Sequence, residues 1–123
     1  MAARLGNITF DCGDVLKLAT FWSAVLGRPL DAGSSEFFAS IGGADAERLE
    51  PAWYFNQVPE PKQAKNRVHL DLVNPDLGGI DELTRLGATV VGQHRMAGHR
   101  WTIMQDPEGN EFCIAVKSFT GSG

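Results

Sequence analysis

Apolar and polar residues alternate in three separate segments of the chain, at residues 5–12, 67–73 and 110–117. A period of two is typical of a strand buried on one face only, because successive side chains point to opposite faces. The apolar positions are Ile8, Phe10, Cys12, Val68, Leu70, Leu72, Phe112, Ile114 and Val116. The alternate positions are mostly polar: Asn7, Thr9, Asp11, His69, Asp71, Val73, Glu111, Cys113 and Ala115. The three strands are therefore expected to place polar groups on one common surface.

The first two of these strands are each followed by a segment with helical spacing. Asp14 is a predicted N-cap, and the helix that follows it is expected to end at Gly27. Asp76 is the predicted cap of a second helix at residues 77–86, which ends at Gly87. The aspartates are 62 residues apart (76 − 14) and the glycines 60 (87 − 27). A repeat of this length in a short chain indicates two copies of one structural unit.

Short extended segments complete both copies. Predicted strands cover residues 36–41 and 52–58 in the first half and residues 88–93 and 99–105 in the second, and a strand near Leu30 would complete the first half. Residues 106–109 are predicted to form a tight turn. The sequence thus predicts an α+β fold of two tandem βαβββ modules, at residues 4–60 and 66–118, within one domain of residues 1–123. Their curved mixed sheet would carry helices on one face and a concave pocket on the other.

The composition narrows the class of protein and of partner. The chain has 123 residues, of which 43% are hydrophobic, and its 11 basic and 15 acidic residues give a net charge of −4. This acidity disfavours nucleic acid as a partner. No segment has the ~18 apolar residues of a membrane span, and the start lacks the hydrophobic run of a signal peptide. We therefore expect a cytoplasmic protein with no membrane partner, in which Cys12 and Cys113 are free thiols.

Several motifs, taken in order, carry a resemblance to a known superfamily. They are Phe21-Trp22 with Val25-Leu26-Gly27, then Lys65-Asn66-Arg67-Val68-His69-Leu70-Asp71-Leu72, then Leu86-Gly87-Ala88, Trp101, and Asp106-Pro107-Glu108-Gly109-Asn110-Glu111-Phe112-Cys113. With these motifs the chain resembles the vicinal oxygen chelate superfamily, which includes glyoxalase I, bleomycin-resistance proteins and extradiol dioxygenases. The likeness is greatest to its short glyoxalase-like proteins, and it covers nearly the whole chain.

The resemblance also implies where a metal ion would bind. In the metal-dependent members the ligands come from the first and last strands of each module, and the matching positions here are Asn7, Asn56, His69 and Cys113. Asparagine is a poor ligand for a catalytic transition metal, because its neutral amide oxygen supplies no charge. We therefore expect no metal cofactor. If a divalent metal does bind, His69 and Cys113 are the expected ligands.

The polar positions give a predicted ligand-binding set. It consists of Asn7, Thr9, Asp11, Asn56, His69, Asp71, Trp101, Glu111 and Cys113. Within it, His69 and Asp71 are the candidates for general acid–base catalysis. Trp101 is expected either to stack on a flat ligand or to pack in the core. His94 lies in a polar stretch and is expected in a loop.

Two hypotheses of different classes follow. The first is a glyoxalase/bleomycin-resistance-like protein that binds a small, partly aromatic or cationic molecule without the family's metal centre. The second is a lyase, isomerase or dioxygenase-type enzyme that acts on a small oxygenated metabolite through His69, with or without an unusual metal. In either case we expect a homodimer, because Phe37, Phe38 and Tyr54 would leave apolar surface exposed on a monomer.

Overall fold

A computed structural model describes residues 2–44, 48–74, 79–96 and 99–116, with only the backbone of Asn74, Met96, His99 and Val116. The chain divides into two compact units, residues 1–62 and 63–123. The first unit contains β1 (Asn7–Cys12), α1 (Val15–Leu26), β2 (Phe38–Ile41) and β3 (Ala52–Gln57). The second contains β4 (Leu70–Asn74), α2 (Gly79–Leu86), β5 (Thr89–Met96), β6 (His99–Gln105) and β7 (Glu111–Val116). Neither helix has the length and apolar character needed to span a membrane in the ranges described.

Helix α1 begins and ends where its capping residues predict. The Asp14 side chain accepts a hydrogen bond from the Lys17 backbone N–H at 3.1 Å, which satisfies a donor that the first turn leaves free. The helix ends at Gly27, which adopts a left-handed conformation with φ of 66° that favours glycine. The first helix prediction is therefore confirmed at both ends.

The core of the first unit is aromatic. Its sheet has the order β1-β3-β2, with β1 parallel and β2 antiparallel to β3. Phe10 stacks on Trp53 and on Phe55, with ring centroids 5.7 and 5.4 Å apart, and Trp22 of α1 packs against the same cluster. Burial of these rings contributes to holding α1 on the sheet.

The predicted strand near Leu30 is wrong. Within residues 2–44 this segment forms a turn, in which the Ser34 N–H donates to the Asp31 carbonyl. The Asp31 carboxylate accepts from the Ser40 hydroxyl at 2.6 Å and from the Gly43 N–H at 2.7 Å. These side-chain bonds hold the segment against β2 together with two backbone hydrogen bonds, from the Asp31 N–H to the Ser40 carbonyl and from the Ser35 N–H to the Phe38 carbonyl, and no strand ladder forms.

The second unit has the full predicted βαβββ order. Its sheet has the order β4-β7-β6-β5, with β4 parallel to β7 and the other pairs antiparallel. Helix α2 ends before Gly87 as predicted, whereas its predicted cap, Asp76, lies outside the described residues. The observed α+β fold thus corresponds to the predicted tandem modules, except that the described part of the first module has one strand fewer than predicted.

The tight turn before β7 is confirmed. The buried Asp106 carboxylate accepts hydrogen bonds from the N–H groups of Glu108 and Asn110, both at 3.0 Å. Gly109 has a φ of 89°, which ordinary side chains rarely adopt. The role of this segment is therefore structural.

The predicted alternation of faces agrees with burial at several strand positions, although Cys113, predicted on the polar face, is buried as well. Cys12, Phe112 and Ile114 are buried, whereas Thr9 is exposed. Val68, predicted on the apolar face, is 77% exposed because it precedes β4 and has no ladder partner there. The strand therefore begins three residues later than the predicted segment.

We predict that Phe55→Ala lowers the free energy of unfolding by about 3–5 kcal/mol, because it leaves a cavity in the aromatic core. Thr9→Ala, on the opposite face of the same sheet, is the matched control and should change it by less than about 0.5 kcal/mol. Urea denaturation monitored by circular dichroism measures both values. Equal losses in the two variants would show that the faces are assigned wrongly.

Candidate functional site

One face of the second sheet opens onto a cavity. Thr102, Met104, Phe112 and Ile114 point to the buried face, so the residues that alternate with them on β6 and β7 point to the other. The cavity on that face has a volume of about 530 Å³. Its lining consists of Lys65, His69, Val91, His94, Trp101, Ile103, Gln105, Glu111 and Cys113. A cavity of this size suits a small organic ligand.

Strand register orders the lining from an aromatic end to a polar end. Trp101 pairs with His94, and we call these two residues the aromatic end. Ile103 pairs with Cys113 in the middle, and Gln105 pairs with Glu111 at what we call the polar end. A strand rises about 3.4 Å per residue, so the two ends, four residues apart on β6, are separated by about 14 Å.

The aromatic end is a stacked pair of rings. The His94 and Trp101 centroids are 5.8 Å apart and their planes differ by 18°. Trp101 is only half-buried and lines the cavity, so it does not pack fully in the core. That it stacks on a flat ligand stays a prediction. The His99 side chain, which alternation would place beside it, lies outside the described part.

The predicted loop position of His94 is wrong, because the residue belongs to β5. The ladder between β5 and β6 shifts register between Val90 and Gly92, which is a β-bulge. Residues three positions apart on a regular strand point to opposite faces. The extra residue, Val91, reverses this alternation, so that Val91 and His94 both line the cavity. A glycine inside a strand often marks a bulge, so Gly92 was a signal available in the sequence.

The polar end is built around a fixed carboxylate. One Glu111 oxygen accepts the backbone N–H of Asn66 at 2.7 Å, and the other accepts the Gln105 side-chain amide at 3.3 Å. Asn66 also has a buried side-chain oxygen that no described residue bonds. Alternation predicted the position of Glu111, whereas its bond to Asn66 depends on how the preceding loop folds.

His69, Asp71 and Cys113 lie together beside the middle of the cavity. Asp71 pairs with Cys113 across β4 and β7, and His69 Nε2 is 3.6 Å from the Asp71 carboxylate. One nitrogen, oxygen or sulfur ligand atom from each residue lies within 4.8 Å of the others. The sequence placed these three residues on one face, and the structure brings them together.

The Cys113 side chain is a protonated thiol at neutral pH. Burial raises its pKa above the usual value, and the charge of Asp71 and a hydrogen bond to that carboxylate raise it further, against a smaller opposite effect of Lys65. A thiol in this state is a weak nucleophile.

The remaining predicted site residues belong to the first unit. Asn7 donates to the Thr9 hydroxyl at 2.7 Å, and Asp11 pairs with Asn56 across β1 and β3. Alternation on these strands gives the four residues a common face. That they share a ligand with His69 stays a prediction.

We predict that Asp71→Asn lowers the pKa of Cys113, because it removes the negative charge that disfavours the thiolate. Alkylation of Cys113 by iodoacetamide, followed by mass spectrometry between pH 7 and 10, should then reach its half-maximal rate at lower pH. Asp81→Asn on α2 is the control and should leave the profile unchanged. An unchanged profile in Asp71→Asn would contradict the described contact.

Comparisons with known proteins agree with this fold. The family model described as a glyoxalase-like domain matches residues 7–115. A glyoxalase/bleomycin resistance protein/dioxygenase family enzyme from Burkholderia phytofirmans PsJN has a TM-score of 0.68 at 17% identity, covering 91% of this chain and 97% of that one. A lactoylglutathione lyase from Agrobacterium tumefaciens has a TM-score of 0.61 at 14% identity, covering 98% of each chain.

A third structure is a mutant fosfomycin resistance protein from Listeria monocytogenes. It has a TM-score of 0.73 at 13% identity and covers 94% of this chain and 90% of that one. That structure contains Mn(II) and a dihydroxypropylphosphonic acid. A comparison with curated sequences gives no significant match. At these identities the structures show the fold alone, whereas the family model spans most of the sequence, and the chain belongs to the glyoxalase-like family of the vicinal oxygen chelate superfamily.

Proposed function

We propose that the protein binds a small, partly aromatic organic molecule in the cavity of its second unit, without a metal ion. The observation that carries this proposal is the stacked pair of His94 and Trp101 on the wall of a cavity of about 530 Å³. A half-buried indole with an open face gains stacking and apolar contact when a flat ring covers it.

The rest of the lining supports the same ligand class. Val91 and Ile103 add apolar surface, and Gln105 and Glu111 place polar groups at the other end. Binding sites for small molecules are mostly apolar with a few fixed polar groups that orient the ligand. The solved structures of similar fold include a family enzyme and a resistance protein, which is consistent with small-molecule recognition by this fold.

A metal-dependent lyase, isomerase or dioxygenase-type enzyme is the second candidate. The supporting observation is the cluster of His69, Asp71 and Cys113, whose nitrogen, oxygen and sulfur atoms are ligands that Zn²⁺ accepts. Ligand atoms on one tetrahedral zinc ion lie about 3.4 Å apart, given bonds of about 2.1 Å. The distance of 3.6 Å between His69 Nε2 and the Asp71 carboxylate matches this spacing. The three ligand atoms together spread over as much as 4.8 Å, so the Cys113 sulfur would have to move towards the other two to bind the same ion.

The chemical types of these three ligands therefore suit a zinc ion, and His69, Asp71 and Cys113 would hold it. A bound divalent ion would supply a Lewis acid for a substrate oxygen. Without it, His69 and Asp71 remain close enough for acid–base work on a bound molecule. Binding of an ion has to displace the Cys113 proton, which makes such binding dependent on pH.

The homodimer stays a prediction. In the first unit Phe37 is 63% and Phe38 41% exposed, and Phe38 packs edge-on against Tyr54 with centroids 5.4 Å apart. These are the residues on which the expectation was based.

We predict that aromatic hits from a thermal-shift screen of metabolites and antibiotics lose about tenfold in affinity in Trp101→Ala, because stacking and apolar burial are lost. Val90→Ala is the control, since Val90 is exposed and does not line the cavity. Calorimetric titration of each hit measures the affinities. Hits that bind Trp101→Ala as tightly as wild type would refute the proposed site.

We predict that protein purified without chelators carries less than one equivalent of Zn, Mn, Fe or Ni per chain. Elemental analysis by mass spectrometry tests this prediction. One equivalent that is lost in both His69→Ala and Cys113→Ser would favour the enzyme. Asp81→Asn serves as the control for nonspecific binding.

A further inference from the structure

We propose that Lys65 selects an anionic ligand for the cavity, with an aromatic carboxylate as the preferred class. The ring system of this ligand lies against Trp101, and its carboxylate accepts hydrogen bonds from the Lys65 ammonium. This inference rests on the proposed function and adds the charge of the ligand.

Lys65 belongs to the polar end of the cavity. It precedes Asn66, whose backbone N–H donates to Glu111 at 2.7 Å, and consecutive Cα atoms are only about 3.8 Å apart. The Lys65 side chain is exposed and contributes to the cavity lining. Its charge acts to lower the pKa of Cys113, against the larger effects of burial and of Asp71. The ammonium is therefore felt in the middle of the cavity as well as at its polar end.

The charged group of the lining that is open to a ligand is positive. Among the described residues the lining has one carboxylate, that of Glu111, and one ammonium, that of Lys65. Both Glu111 oxygens accept hydrogen bonds, from the Asn66 backbone and the Gln105 amide, and the residue has a further interaction. Within the described ranges no carboxylate forms an ion pair with Lys65. Because an ammonium has three donors, Lys65 can donate to an anion in the cavity.

A cationic ligand, which the sequence left open, suits this lining less well. Lys65 repels a cation, and the carboxylate that lines the cavity already has partners. The Asp71 carboxylate lies beside the cavity, 3.6 Å from His69 Nε2, and is not part of the described lining.

Glu111 repels a ligand carboxylate while Lys65 attracts it. The flexible stem of Lys65 lets its ammonium contact the ligand directly, whereas the Glu111 carboxylate is held in place by its bonds to Asn66 and Gln105. A direct charge-assisted hydrogen bond is among the strong polar contacts, while solvent and salt screen the repulsion from a separated charge. Attraction by Lys65 is therefore expected to be the larger effect.

The strand register sets the length of the ligand. Trp101 and Gln105, which mark the two ends of the cavity, are four residues apart on β6, or about 14 Å. Ile103 lies between them and offers apolar contact. Two linked rings with a terminal carboxylate span this distance, because the lysine stem extends towards the ligand.

Three biphenyl probes of similar shape test the charge. They are biphenyl-4-carboxylate, the neutral biphenyl-4-carboxamide and the cationic 4-phenylbenzylamine. Binding is followed by quenching of Trp101 fluorescence, with Trp101→Phe subtracting the signal of Trp22 and Trp53. Wild type should bind the carboxylate at least about fivefold more tightly than either other probe, as expected for a charge-assisted hydrogen bond. This preference should fall by at least about half between about 0.01 M and about 1 M salt, because the Debye length shrinks from about 30 to about 3 Å.

Lys65→Met removes the charge at nearly equal length, so it should reduce the preference to less than about twofold. Lys65→Arg keeps the charge and should retain the preference. Lys17→Met, at an exposed lysine of α1 in the first unit, is the matched control and should also retain it. If Lys65→Met does not fold, the ranking of the three probes in the wild type and its salt dependence decide.

A carboxamide or amine that binds wild type as tightly as the carboxylate would overturn this inference, as would a preference that survives in Lys65→Met. In each of these cases quenching of Trp101 would still support the proposed function. If none of the three probes quenches Trp101 or shifts the melting temperature, both the proposed function and this inference fail.

Discussion

The parallel pairing of the first and last strands of each unit determines where the site residues lie. Strands that run in the same direction need a crossover between them, and in the second unit the segment containing α2 and the two antiparallel strands supplies it. This pairing sets Asp71 against Cys113, and the antiparallel neighbour then sets Ile103 against Cys113 and Gln105 against Glu111. A shift of one residue in this register would turn each of these side chains to the other face.

The parts that the sequence could predict are those with strong periodicity or distinctive turn chemistry. Alternation predicted that His69, Asp71, Glu111 and Cys113 share a face, and Asp14 and Gly27 marked both ends of a helix. These features depend on residues close together in the chain. They therefore leave a local pattern that survives in a single sequence.

The parts of the structure that the sequence could not predict depend on departures from regular strand and turn geometry. The position of His94 depends on one extra residue in β5, which reverses the face of everything after it. The turn at Asp31 depends on hydrogen bonds to Ser40 and Gly43, and the anchoring of Glu111 depends on the fold of the loop that contains Asn66. These hydrogen bonds join residues that are distant in the chain, so the periodicity of apolar and polar residues does not reveal them.

Solution NMR of uniformly ¹⁵N-labelled protein, titrated with para-hydroxybiphenyl, tests the central claim that the open face of the second sheet is the binding site. Amide shifts at His69, Trp101, Ile103 and Cys113, with small changes at α2, are the result that this account predicts. Shifts confined to α2 or to Thr9 and Asp11 of the first unit would contradict it.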